Sequence, residues 1–410
     1  MPEVWIFNHY AQPPDAGAGT RHYDLGLRAA EHGITTTIFA ASFDHLSRRD
    51  RLRGLELVRR ERHGAVTFVW LRSIPYRGNG AARIAGMVGY AAVAIVAQMP
   101  MRRPDVVIGS SVHPVAAFAA YVVARMRGAR FIYEIRDLWP QTLVDMGALA
   151  ATSPVARGLW WVEAFLVRRS EAVICLLPGI ATYLHERGLP SDHVHYLPNA
   201  VVEAPVRTGQ LPRGLHRQIG QWREEGKFVA IYAGAHGRAN GLETVIDAAM
   251  RLQGSGSRVR LALVGDGPRK AALQSVARRR GLENVAFFDP IPKRSVQELL
   301  AQGDAGLFHL VDVGVFRYGI SSNKLFDYLM SGLPIVFACR TSNDPVAEAN
   351  AGLSIAPQNP VALADALELL AGMDVGARRE MGENGRRYVR LHHGVDAVGD
   401  QFAQLILRPR

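Results

Sequence analysis

The segment YGISSNKLFDYLMSGLPIVFA, residues 318–338, sets a lysine and a carboxylate three residues apart. If the segment is helical, Lys324 and Asp327 lie on one face. A lysine near a helix start suits a diphosphate, and the carboxylate suits a ribose diol. The plainer alternative is an i,i+3 surface ion pair beside Ser321, Ser322 and Asn323. Gly332 would end that helix and Pro334 begin the next strand. A second candidate is YAGAHGRANGLETVIDAA, where Gly234 and Gly237 follow a strand-like run and Arg238 precedes a helical stretch. Glycines, a cation and a helix N-terminus together make a phosphate cradle. In VGDGPRK, Gly265 and Gly267 again follow a strand, but Lys270 stands where a dinucleotide fingerprint needs its third glycine, which argues against NAD.

The first half offers three further candidates. In NHYAQPPDAGAGTRHYDLGLRAAEHG, Gly17 and Gly19 sit in a loop before a helix whose first N–H groups could hold an anion or an acceptor hydroxyl. A plain strand-to-helix turn is the alternative. In YEIRDLWP, Arg136 and Asp137 end a strand beside Trp139 and Pro140, which reads either as a carboxylate aimed into a cleft or as an ion pair capping the sheet. His113 in GSSVHP is either a catalyst or a satisfied turn residue.

Elements must position these residues, and the apolar β-branched runs supply them. Strands are expected at 4–7, 35–39, 66–71, 105–108, 131–135, 172–176 and 194–196, then at 228–232, 260–264, 285–288, 305–308, 335–338 and 353–355, with helical stretches between most of them. Continuous apolar runs suit strands buried on both faces, so the chain reads as α/β with two doubly wound parallel sheets. A polar, Pro- and Gly-containing stretch, 203–225, separates the halves as a linker with one short helix. Ligands of such sheets sit beyond the carboxyl ends of the strands, and two halves facing each other would form a cleft.

The 410 residues are 48% apolar and 21% charged, the composition of a folded protein with more than one core. An excess of 48 basic over 37 acidic residues, +11, admits nucleic acid, an anionic membrane face or a phosphate-bearing substrate. The only cysteines, Cys175 and Cys339, have no zinc spacing and read as buried free thiols of a reducing compartment. The start, MPEVWIFNHYAQ, reads as a strand and not a signal peptide, giving a cytoplasmic expectation. Residues 81–101, AARIAGMVGYAAVAIVAQMPM, read as a buried core helix, with a membrane-touching helix as the alternative. The stretch LWWVEAFLVRR, 159–169, reads as a core-packing helix with a snorkelled basic face, against an interfacial amphipathic one.

At YEIRDLWP and SSNKLFDYLMSGLPIVFA the chain resembles the retaining, nucleotide-sugar-dependent glycosyltransferases of family 4, which have the GT-B fold, and most of all the bacterial fucosamine-type transferases of surface polysaccharide synthesis. YLPNAVV, with Pro198 and Asn199, resembles the family's hinge, and ENGRRYV resembles the start of its C-terminal crossing segment. The resemblance implies an acceptor domain at 1–202, a linker region at 203–226, a nucleotide-sugar domain at 227–385 and a helix at 386–410 crossing back to the first domain. It implies that Gly19 lines the diphosphate and acceptor side, and that Arg238 and Lys324 stabilise the leaving diphosphate, with Gly234 and Asn323 among the residues expected to bind the nucleotide sugar. Asp327 would bind ribose, Gly265, Gly267 and the 288–291 segment ending at Ile291 would lie near the base, and Asp137 stands where many relatives carry a catalytic histidine. The chain departs from the family pattern at Gly319, Asn240, Ala18 and Asp327, and Lys324 would supply the positive charge missing at Asn240.

The expected activity is retaining transfer of a hexosyl or N-acetylaminosugar group from a UDP-sugar to a glycan or polyprenyl-diphosphate-linked acceptor, with peripheral contact to an anionic inner-membrane face. No two aspartates are spaced i,i+2, so metal-independent transfer without a cofactor is expected. A non-hydrolysing UDP-sugar epimerase shares the architecture and is the enzymatic alternative. A basic nucleic-acid-binding protein is the other, but the arginines are scattered and no binding module is present, so no nucleic-acid partner is expected.

Overall fold

The computed structural model describes residues 1–14, 19–44, 48–76, 81–111, 113–203 and 208–409. The chain divides into two compact units, one of residues 1–200 with 395–410 and one of residues 201–394. Each is built on its own sheet.

The strands of the first unit are β1 (Glu3–Phe7), β2 (Thr35–Ala41), β3 (Phe43–Asp44), β4 (Arg49–Asp50), β5 (Val58–His63), β6 (Val66–Leu71), β7 (Val106–Ser110), β8 (Arg130–Ile135), β9 (Ala172–Cys175) and β10 (Val194–Tyr196). Eight of them form one sheet in the order β10-β9-β8-β7-β1-β2-β6-β5, parallel except for the β5–β6 edge pair, while β3 and β4 make a separate hairpin. The apolar runs are the central strands, and β1, β7 and β8 are buried almost throughout. Sequence reading missed β5, VRRERH, because an antiparallel edge strand needs only a neighbour's backbone and leaves its outward side chains in water. Glu61 of β5 accepts the Trp70 indole N–H at 2.7 Å.

Crossovers from β6 to β7, β7 to β8 and β8 to β9 run in one direction along the sheet, so right-handed connections place the helices Ala81–Ala97, Pro114–Arg127 and Pro154–Arg169 on one face. The first two pack on each other, as do the second and third. The opposite face holds Arg21–Glu31 and the last helix, Val395–Leu407, which pack together. Arg28 Nε donates to Asp400 Oδ1 at 2.7 Å, and Val398, Phe402 and Ile406 complete the core.

The second unit has β11 (Phe228–Ala233), β12 (Val259–Val264), β13 (Val285–Phe288), β14 (Ala305–His309), β15 (Ile335–Ala338) and β16 (Gly352–Ile355), all parallel in the order β13-β12-β11-β14-β15-β16. Three expectations are corrected. Within 203–226 the helix Arg213–Glu224 is part of this unit, because Leu215, Ile219 and Trp222 are buried in its core. Residues 386–393 stay with this unit as the end of the helix Val375–His393, since Arg386 donates to the Met330 and Ser331 carbonyls and Val389 is buried; the segment that joins the first unit begins at Val395. Ala81–Ala97 is not a buried core helix, because among its described side chains only Gly86, Met87, Tyr90 and Ala94 are buried. Among the described residues no helix is long and apolar enough to cross a membrane. Cys175 and Cys339 are buried free thiols.

One cluster of charge lies inside the first unit. Glu134, near the end of β8, accepts from Arg21 Nε at 3.1 Å and pairs with His22 Nε2 at 2.7 Å, and all three side chains are buried. Arg21 also donates to the Leu197 and Pro198 carbonyls, and Asn8 Nδ2 lies 2.9 Å from His22 Nδ1. Burial raises the Glu134 carboxyl, but the facing His22 and Arg21 outweigh it and hold it well below its ordinary value.

A Cβ added to Gly382 would lie 1.8 Å from the Gly332 carbonyl oxygen, so Gly382→Ala must push the helix Val375–His393 off its neighbour. We expect a loss of about 1–3 kcal/mol in urea unfolding, against no loss for Gly254→Ala, where the added carbon meets nothing. Glu134→Gln leaves the Arg21 charge buried without its counterion and should cost about 3–5 kcal/mol. A carboxyl whose folded pKa is depressed stabilises fully above its unfolded value near 4.5 and loses that contribution as pH falls toward the folded one, so acid titration of stability should flatten in the variant.

Candidate functional site

The loops that follow β11 and β12 touch through their backbones. A Cβ on Gly265 would stand 1.9 Å from the Gly234 carbonyl oxygen, and one on Gly267 would stand 2.6 Å from that of His236. Both glycines have positive φ, 148° and 156°. Gly234 N–H donates to Val264 O at 2.9 Å and His236 N–H to Asp266 O at 2.8 Å, which extends the strand pairing past the strand ends. Gly265 and Gly267 therefore make room for a neighbouring loop.

The first loop closes into a 3-10 turn, Arg238–Asn240, ended by Gly241 at φ +53°. Buried His309 pins this turn: its Nδ1–H donates to Asn240 O at 2.8 Å, which leaves Nε2 to accept from Gln358 N–H at 3.2 Å. Arg238, at the head of the turn, is exposed.

Lys324 reaches the same loop from the helix Asn323–Ser331. Its chain lies against Gly234, where a Cβ would be 3.1 Å from Lys324 Cδ. Its ammonium sits 4.4 Å from the Tyr232 ring centre and 4.8 Å from that of Phe308, and donates to Asn240 Oδ1 at 3.1 Å. No carboxylate pairs with it among the described residues, and burial pulls its pKa down to about 7. Ser322 precedes the helix without capping it through its side chain, so first-turn N–H groups point out beside this cation. Asp327 turns elsewhere: it is buried and pairs with Lys293, and burial raises its carboxyl against the pull of that lysine. The i,i+3 ion pair with Lys324 is not formed. Ile291 packs half-buried against the core and Asn323 is exposed at the helix start. Gly319, at φ +109°, ends the turn Gly314–Tyr318.

His236, which sequence reading passed over, is buried in the first loop and neither ring nitrogen has a partner among the described residues. Burial, with Lys270 and Lys324 nearby, lowers it to about 4. Its place between two glycines after a strand was the available signal.

In the first unit, Asp137 is exposed just past β8 and makes no ion pair with Arg136, so the capping alternative is not what the structure has. His113 is buried and caps the helix Pro114–Arg127, its Nδ1 accepting from Ala116 N–H at 3.3 Å. Its Nε2 has no partner among the described residues, and burial, with Arg83, lowers its pKa to about 3. Gly19 has φ +85°, and its carbonyl accepts from Gln12 N–H at 3.1 Å. Gly17 and Ala18 lie outside the described residues. The structure thus gathers Gly234, the Arg238 turn, Gly265, Gly267 and Lys324 in the second unit, while in the first unit His113 and Gly19 both approach Tyr10, whose ring centre lies 6.0 Å from that of His113 and whose carbonyl oxygen a Cβ on Gly19 would meet at 3.0 Å. No sequence motif announced the Arg21–Glu134–His22 cluster, in which Glu134 lies more than a hundred residues from the other two.

Residues 16–200 match a family model described as a glycosyl transferase 4-like domain, and residues 227–372 match one for glycosyl transferases group 1. The alpha-D-kanosaminyltransferase of Streptomyces kanamyceticus is 24% identical over 312 residues, 72% of this chain and 76% of that protein. The putative colanic acid biosynthesis glycosyl transferase WcaI of Escherichia coli K12 is 26% identical over 247 residues, 57% of this chain and 58% of that protein. Among solved structures, Anabaena Alr3699/HepE in complex with UDP and glucose superposes with a TM-score of 0.70 at 14% identity, covering 99% of both chains. Spanned by the two models in tandem over most of its length, the chain belongs to the family 4 glycosyltransferases and has their GT-B fold.

Proposed function

We propose that the chain transfers a hexosyl or N-acetylaminosugar group, with retention, from a UDP-sugar held by the second unit to a glycan or polyprenyl-diphosphate-linked acceptor of bacterial surface polysaccharide. The observation that carries this reading is Lys324: a desolvated ammonium without a carboxylate, set on aromatic rings at an uncapped helix start and beside the Arg238 turn. Such a place suits a dianionic leaving group. HepE, solved with UDP and with UDP-glucose, and WcaI, named for colanic acid biosynthesis, support the donor and the product class. The buried free thiols agree with a reducing, cytoplasmic setting.

In this mechanism the bond from the sugar's anomeric carbon to the diphosphate oxygen breaks as the acceptor oxygen attacks from the same face. The acceptor's proton passes to the departing phosphate. Arg238, Lys324 and first-turn N–H groups offset the charge that develops on the diphosphate, and no metal is required for that role. Asp327, kept near Lys293, accepts the ribose hydroxyls, the 288–291 segment meets the base, and Asp137 orients the transferred sugar or the acceptor.

Thermal unfolding should shift upward with UDP and keep that shift in EDTA, because a ligand bound only by the folded state stabilises it. No shift with UDP, or one abolished by EDTA, would refute the donor site as drawn. Lys324→Ala should weaken UDP binding about 10- to 100-fold, the loss of a hydrogen bond to a charged group. Proton linkage gives a sharper readout. Free Lys324, at about 7, is largely neutral above that pH, whereas the diphosphate binds its protonated form. Between pH 7 and 9 UDP binding should therefore take up a proton and weaken as pH rises, and calorimetry in buffers of different ionisation enthalpy should find that uptake missing in Lys324→Ala.

A further inference from the structure

We propose that the outer face of the helix layer Ala81–Ala97, Pro114–Arg127 and Pro154–Arg169 docks on the surface of an anionic bilayer. The helix Ala81–Ala97 turns Gly86, Met87, Tyr90 and Ala94 inward, as any surface helix buries one stripe. Its outward stripe should then be polar, and it is not. Ile84, Val88 and Val96 are 62%, 55% and 61% exposed at intervals of four and eight residues, Ala92 lies between them, and Met99 follows at 55%. The neighbouring helices add exposed Met126 and Trp161 on the same side of the sheet. Monomers seldom leave a contiguous apolar strip of this kind in water.

Charge selects what covers it. From Arg62 to Tyr133 the chain has nine arginines and a single acidic residue, Asp105, whose carboxylate accepts from the Glu3 backbone N–H at 2.8 Å. Arg102 and Arg103 are exposed just past the end of the apolar stripe, where Arg127 donates to the Gln98 and Met99 carbonyls. A second copy docked on this face through a twofold axis would bring the same arginines against themselves. Anionic headgroups complement them, and aliphatic side chains between the arginines enter the acyl boundary, as an interfacial helix requires. The face would hold the enzyme where a lipid-linked acceptor resides, so the inference extends that part of the transferase reading while resting on the helix layer alone.

The test is co-sedimentation of the full chain with phosphatidylcholine–phosphatidylglycerol vesicles and with pure phosphatidylcholine vesicles. Binding to the anionic vesicles, weakening with salt, is expected. The triple variant Ile84→Glu/Val88→Glu/Val96→Glu should lower partitioning about 100-fold or more, since three aliphatic chains leave the interface and three like charges face the headgroups. Arg102→Gln should lower it about fivefold, the worth of one basic residue near an anionic surface. All four substituted positions are exposed, so the UDP thermal shift should be retained in both variants, which reports folding and the donor site separately from docking. Absence of vesicle binding at low salt, or equal binding by the triple variant, overturns the proposal. A dimer of the native chain in light scattering that the triple variant abolishes also overturns it, assigning the face to a second copy.

Discussion

Two backbones in van der Waals contact set the geometry of the second unit. The loop after β12 lies so close to the loop after β11 that Gly265 and Gly267 have no room for a Cβ. Every later feature of the site needs that approach. It carries the parallel pairing beyond the strand ends through the Gly234 and His236 N–H groups, and so holds the Arg238 turn against the sheet. It also fixes Gly234, whose missing side chain leaves space for the Lys324 stem. A lysine held this way, between two aromatic faces and with no carboxylate paired to it among the described residues, is brought by burial to about 7, so that a bound anion is what would keep it charged. The strain of a desolvated cation is the kind of local cost expected where an anion is to be met.

The first unit solves a comparable problem with charge. Glu134 at the end of β8 must hold together the loop after β1, the start of the helix Arg21–Glu31 and the Leu197–Pro198 backbone. A buried ion cluster does this only if nearly all its polar atoms are partnered, and here Arg21, His22, Asn8 and two carbonyls partner one another. The cluster gives the first unit a rigid end to its central strands, past which Asp137 follows β8, its carboxyl raised by desolvation, and His113 caps its helix. The residues named for chemistry thus rest on supports that take no part in it.

The helix Ala81–Ala97 on one side of that sheet departs from the usual division of an amphipathic helix. Its inner face is apolar, its outer face carries exposed Ile84, Val88 and Val96, and exposed arginines, Arg102 and Arg103, follow its end. The basic excess of the chain is therefore not spread evenly along the sequence, and composition alone, which admits several acidic partners, gives no hint of where it lies.

The sequence by itself determined the alternation of strands and helices, since runs such as VWIF and LALV can be satisfied only inside a sheet covered on both faces. It also determined which loops carry chemistry, because glycines, Arg238 and Lys324 cluster just after strands or at a helix start, and it carried the family. Tertiary structure decided the partners. Lys324 and Asp327 are three residues apart, yet one side chain follows the gap at Gly234 to Asn240 and the other meets Lys293, a choice made by neighbours far along the chain. His236, Glu134 and the polar edge strand β5 were illegible for the same reason: burial and pairing are properties of what surrounds a residue, and residue type alone does not encode them. So too the outer stripe of Ala81–Ala97, whose apolar sequence fits a core helix equally well until the packing shows that Ile84, Val88 and Val96 are exposed.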